Sequence, residues 1–94
     1  MAVARVVAFE DIDSERIASL KAEIEGGERP EGLPATEMMI LHDPEGERAL
    51  AIVFFDNDDD YATGDAILGG MPTSDTPGRR TSVTKHDVAV RAMG

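Results

Sequence analysis

The amino-acid sequence predicts an α+β fold, with one antiparallel four-stranded sheet and two helices on one of its faces. Three observations lead there. Residues 14–26 carry apolar side chains at helical spacing, and a second such stretch runs through Tyr61 and Leu68. Each helical stretch has a Val-, Ile- or Phe-rich run of strand length before it and another strand pattern after it. The two runs between the helices are joined by Asp43-Pro44-Glu45-Gly46, a turn short enough to make them antiparallel neighbours.

The first element is Val3 to Glu10. Its Val content and the bounding Asp11 and Asp13 mark a strand, apolar on both faces: Ala4, Val6 and Ala8 on one, Val3, Val7 and Phe9 on the other. Asp13 or Ser14 then offers an N-cap oxygen, with Glu15 in the first turn where the helix dipole favours it. Ile17, Leu20 and Ile24 form the apolar stripe of this helix, and Gly26-Gly27 ends it. Two glycines and two prolines make residues 27–35 a loop. Strand two covers Met38 to Leu41 and strand three Ala49 to Phe55. In the turn between them Pro44 presets φ, and Gly46 is the residue expected to take a positive φ. The acidic run Asp56 to Asp60 opens the second helix, which ends at Gly69-Gly70; Met71 to Gly78 is a further loop. The last segment, Arg79 to about Met93, sets Ser82, Thr84, His86, Val88 and Val90 against Val83, Lys85, Asp87, Ala89 and Arg91, which is strand alternation. The order β-α-β-β-α-β is the ferredoxin-like split βαβ arrangement.

Composition narrows the class further. Ninety-four residues with 41% hydrophobic and 30% charged side chains make one globular domain, residues 1–94. A chain of this size buries roughly 64% of its unfolded surface, a modest core. Cysteine is absent, which removes disulfides, zinc–thiolate sites and thiol nucleophiles. A net charge of -10 argues against nucleic acid or an anionic membrane as partner. No signal peptide is legible, since Arg5, Glu10 and Asp11 interrupt the first apolar run, so the expected location is the cytoplasm.

The central strands call for a partner. Ala49 to Phe55 are seven apolar residues in succession, and Met38 to Leu41 four. Two helices can cover only one face of a four-stranded sheet, and an exposed second face would alternate to polar residues. A second copy presenting the same face is the simplest cover, so the expectation is a homodimer paired sheet to sheet.

These features, with Ala49-Leu50-Ala51-Ile52-Val53-Phe54-Phe55-Asp56 running into an acidic helix start, resemble the dimeric α+β-barrel superfamily. The likeness is greatest to its small antibiotic-biosynthesis-monooxygenase-like members. The resemblance implies a pocket between sheet and helices or inside the dimer barrel, and chemistry on quinone-like aromatics without metal or flavin, so no cofactor is expected. Haem-degrading members use an Asn in the early strands and a His on the second helix. Here the only Asn is Asn57, and neither His42 nor His86 lies on that helix.

Five residues are candidates for a site. His86 lies mid-strand with Ser82 and Thr84 on its face; together they form either a polar lining in an apolar cavity or an ordinary solvent-facing edge. His42 ends strand two, placed as a base or as a support for the hairpin. Arg80, beside Arg79, belongs to the one positive segment of the chain. Residues 1–75 hold 5 basic and 18 acidic residues (net -13), whereas residues 76–94 hold 4 and 1 (net +3). This arginine pair either clamps a ligand anion or meets the acids of a partner subunit. Two readings follow: a homodimer binding a small apolar or aromatic molecule, and a cofactor-independent monooxygenase or isomerase with His86 as base and Arg80 holding the anion. Calcium is excluded at Asp56-Asn57-Asp58-Asp59-Asp60, because Tyr61 and Ile67 stand where an EF-hand needs Gly and Glu. The segment 69–78 lacks phosphate-cradle spacing, and Ser74 and Ser82 lack the glycines of a nucleophile elbow.

Overall fold

A computed structural model describes residues 2–27, 32–70 and 79–92. The elements are β1 (Val3–Glu10), α1 (Ser14–Glu25), β2 (Glu37–Asp43), β3 (Arg48–Phe55), α2 (Asp58–Gly69) and β4 (Arg79–Asp87). They build a single sheet of order β2-β3-β1-β4 in which every pairing is antiparallel. This is the ferredoxin-like α+β architecture. The expected loop over 71–78, with Ser74, lies outside the described residues.

Both helices start where side-chain chemistry dictates. The Asp13 carboxylate accepts from the Arg16 amide at 2.8 Å, and the Asn57 side-chain oxygen from the Asp60 amide at the same distance. Each thereby satisfies a donor that the first helical turn leaves orphaned. Asp58, Asp59 and Asp60 sit in the first turn of α2, where the helix dipole stabilises them.

Register assigns the faces. Val3, Arg5, Val7 and Phe9 of β1 stand opposite Phe55, Val53, Ala51 and Ala49 of β3, and this side meets the helices. Under α1, Leu20 packs with Ile12 and Ala49, flanked by Ile17 and Ile40. Under α2 lies Phe55, 0% exposed, with the Tyr61 ring edge-on at 5.7 Å. Arg5 is a charge in this core, 4% exposed, and its Nε donates to Asp65 of α2 at 2.9 Å. The isolated cation in an inward register thus has its partner on the covering helix.

The structure differs from the sequence reading at three places. β4 ends at Asp87, because Asp87 pairs with Val3 and β1 has no earlier strand residue to continue the ladder. A bulge between Ala8 and Phe9 shifts the register of β4, so that Ser82 opposes Ala8 but Arg80 opposes Phe9. In the β2–β3 turn the positive φ falls on Glu47 (50°), the last loop residue before β3. The preceding turn is held by the Asp43 carboxylate, which accepts from the Gly46 amide at 3.2 Å and from the Arg48 guanidinium at 3.2 Å.

Two outcomes follow from this packing. A Cβ on Gly64 would stand 2.3 Å from a ring carbon of Phe55, which has no free space to retreat. Gly64→Ala should therefore cost about 1–3 kcal/mol despite the better helix propensity of Ala. Urea unfolding checks this, and an unchanged or raised midpoint would contradict the close approach. At the hairpin, the Gly46 amide first and the Arg48 side chain second hold the Asp43 carboxyl below its ordinary value of 3.8. A depressed folded-state pKa gives stability that is present above that value and fades as pH falls below it. Asp43→Asn should lower Tm at neutral pH, and the gap from the parent chain should close on acidification. A gap that persists at the acid end would assign the effect to something other than the charge.

Candidate functional site

The face of the sheet away from the helices is built from rows set by strand pairing. At one end His86, Ala4, Phe54 and Glu37 stand side by side, then Thr84, Val6, Ile52 and Met39, then Ser82, Ala8, Leu50 and Leu41. The inner strands contribute only apolar groups, while β4 supplies a column of two hydroxyls and an imidazole. Leu41 is 48% exposed, and Met39 and Leu50 are 39% exposed. Beyond the last row is a depression of about 460 Å³, lined by Ala8, Leu41, Leu50 and Thr81 and, from the alternate positions of the same strands, Phe9, His42 and Ala49, with Glu10, Asp43 and Arg48 at its rim.

The charges of this face are matched in pairs. Asp43 pairs with Arg48, Glu10 with Arg79, and Glu37 with Arg91. With Asp11, which shares Arg79, four acids stand against three bases, a net of -1 on a chain of charge -10. Arg79 also bonds Asp11 through Nε at 3.1 Å, and the two acids, Asp11 foremost, raise its pKa further. It is a fixed cation bound within its own chain.

A second cleft, of about 240 Å³, separates α1 from β2 on the helix side. Ile17, Leu20, Ile24, Met38 and Ile40 line it, with Lys21 and Glu25 at the mouth. Apolar walls with a few charged groups at the entrance are the usual make-up of a small-molecule site.

The five candidate residues divide between the two faces. Ser82, Thr84 and His86 share the open face, and the His86 Nε2 lies 2.9 Å from the Thr84 hydroxyl. All three are exposed in the single chain and line neither cavity. His42 stands opposite Ala49 on the helix face, half-buried, its Nε2 3.1 Å from the Ile12 carbonyl, which accepts the ring N–H. Arg80 is turned by the bulge to the side of Phe9 and makes no ion pair among the described residues. Arg80 and His86 therefore lie toward opposite ends of β4 and on opposite faces, and one chain does not bring them to a common site.

Besides the Arg5–Asp65 and Arg79 pairs, two further interactions were not read from the sequence. Lys85 reaches Asp58 at 3.0 Å and lies 5.0 Å from the Tyr61 centroid; the Asp58 hydrogen bond, above all, raises its pKa. Arg91 lies over the Phe54 ring at 5.7 Å while pairing with Glu37. Neither had a local signal, since each joins residues far apart in the chain. Among the described residues no group of three or more His, Asp or Glu is placed to hold a metal ion. No helix there is long and apolar enough to cross a membrane.

No protein-family model matches the chain, and no curated protein matches it in sequence. A search of solved structures does find similar chains. One is the crystal structure of a Chloroflexus aurantiacus J-10-fl protein that carries antibiotic biosynthesis monooxygenase as a provisional designation. The likeness covers 100% of this chain and 98% of that one, with a TM-score of 0.58 at 14% identity. At that identity what the two share is the fold, a ferredoxin-like β-α-β-β-α-β sheet with its two helices.

Proposed function

We propose that the chain is a homodimeric α+β-barrel protein that pairs through its open sheet face and binds a small apolar or aromatic molecule in the cleft between α1 and β2. The observation that carries this reading is the open face itself: apolar side chains of β1, β2 and β3 that no described element covers beyond the end row, with the charges at its margins held in ion pairs. A copy with a net charge of -10 meets its twin there with its marginal acids held in ion pairs, while the acidic first turn of α2 lies on the helix side of the sheet. The cleft on the other side then remains free for a ligand. Its branched and thioether side chains suit a flat, uncharged ring system.

A second reading is favoured by the Ser82–Thr84–His86 column. Once a second copy covers the open face, that column faces the space between the sheets, where His86 would take a proton from a quinone-like or polyketide-like compound in monooxygenase or isomerase chemistry. Arg80 has no part in that site, since it is on the other face.

Light scattering at micromolar concentration should give about twice the 10.1 kDa chain mass, and Ile52→Asp in the middle row should return the monomer. A parent chain that stays monomeric would end the pairing proposal. Calorimetric titration with naphthoquinone as probe separates the two ligand sites. Ile24→Glu in the cleft should weaken binding roughly tenfold or more, about 1.4 kcal/mol, and His86→Ala should leave it unchanged. The reverse pattern would move the site to the inter-sheet space, and binding indifferent to both variants would count against both readings.

A further inference from the structure

The open face is uneven along the strands. After β4 the chain is tied to the start of β1, where the Val88 amide donates to the Ala2 carbonyl at 2.9 Å. Three residues later Arg91 lies over Phe54 of β3 and pairs with Glu37 of β2. β4 and β2 are opposite edges of the sheet. Residues 88–92 therefore form a strap running from the β4 edge toward β2, across the end row of the open face. On this strap Val90 is 86% exposed, the most exposed large apolar side chain among the described residues. At the other end of the same face is the depression of about 460 Å³ above Ala8, Leu41 and Leu50. One end carries a ridge with an apolar knob, the other an apolar hollow.

Two equal faces can meet about a two-fold axis lying between them in one of two limiting ways. An axis along the strands sets ridge on ridge and hollow on hollow, holding the apolar rows apart by the thickness of the straps. An axis across the strands exchanges the ends, so each ridge enters the other copy's hollow and the rows close on one another. Charge permits the second arrangement, and shape selects it. The strap's Arg91 is already matched by Glu37, and the acids at the rim of the hollow are held by Arg48 and Arg79, so no unpaired acid of the strap or the rim is opposed.

We propose that residues 88–92 of each copy seat in the hollow of the second copy, with Val90 against Leu41 and Leu50. The proposal rests on the pairing reading above and adds the geometry of the pair. Each hollow is incomplete without the partner's strap, so the C-terminal segment is an interface element, while the cleft beneath α1 is untouched by it.

The chain has no cysteine, which makes a cross-link test clean. Within one chain the strap row and the Leu50 row are four residues apart along the strands, about 14 Å, beyond the roughly 7 Å limit for a disulfide. A Val90→Cys/Leu50→Cys chain, oxidised under conditions where light scattering reports a dimer, should therefore yield a covalent dimer on a non-reducing gel. Neither single variant should do so. A double variant that remains unlinked in a demonstrated dimer overturns the strap geometry alone, as does a Val90→Cys variant that links by itself, which would mean ridge on ridge. A parent chain monomeric throughout overturns the pairing reading along with it. Val90→Asp, exposed enough not to disturb folding, should raise the dimer dissociation constant by roughly tenfold; an unchanged constant would remove Val90 from the interface.

Discussion

The structure depends on one constraint: a sheet whose inner strands are largely apolar on both faces, and described helices that cover only one of them. β3 lies between β2 and β1, and its side chains alternate between Ala49, Ala51, Val53 and Phe55 toward the helices and Leu50, Ile52 and Phe54 away from them. Apolar surface left in water forgoes about 25 cal/mol per Å² of stabilisation. The face has the anatomy of an interface, an apolar centre with polar margins. The charges at its margins are held in ion pairs.

On the covered side, α2 is positioned by contacts that admit little slack. Gly64 lets the helix backbone approach the Phe55 ring, Asp65 meets the buried Arg5, and Asp58 meets Lys85 beside Tyr61. Apolar packing alone would tolerate sliding of the helix along the sheet, whereas a guanidinium 4% exposed is satisfied only with Asp65 in place. Only the arginine is buried, Asp65 being 49% exposed, and the desolvation of Arg5 makes register more than stability the contribution of this pair. α1 is held differently, by Leu20 and Ile17 against Ile12, Ala49 and Ile40, and between it and β2 there remains the apolar cleft.

Element order and face assignment were legible because both follow from periods of 3.6 and 2 that side-chain polarity displays directly. The common face of Ser82, Thr84 and His86 was legible for the same reason. Alternation alone could not end β4, since it continues through Val88 and Val90 after β1 has run out of partners at Val3. Nor could it show the bulge between Ala8 and Phe9, which separates Arg80 from His86. A one-residue irregularity in pairing depends on two strands at once and leaves no mark in either. Glu47 took the positive φ that Gly46 was expected to supply, because position in the loop outweighed residue preference. The Arg5–Asp65 pair was not read from the sequence, since Arg5 interrupts an otherwise apolar face and its partner lies 60 residues away.

The two cavities lie on opposite sides of the sheet, and β2 is the wall they share. Met38 and Ile40 face the cleft under α1, while Leu41 forms part of the hollow on the open face. β2 is also an edge strand, hydrogen-bonded on one side only, so its position is less constrained than that of β3. On the proposed reading, a ligand in the cleft and a second copy on the open face press on the same strand from opposite sides. Alternation along β2 is what makes this possible, since it sets Met38 and Ile40 toward one cavity and Leu41 toward the other.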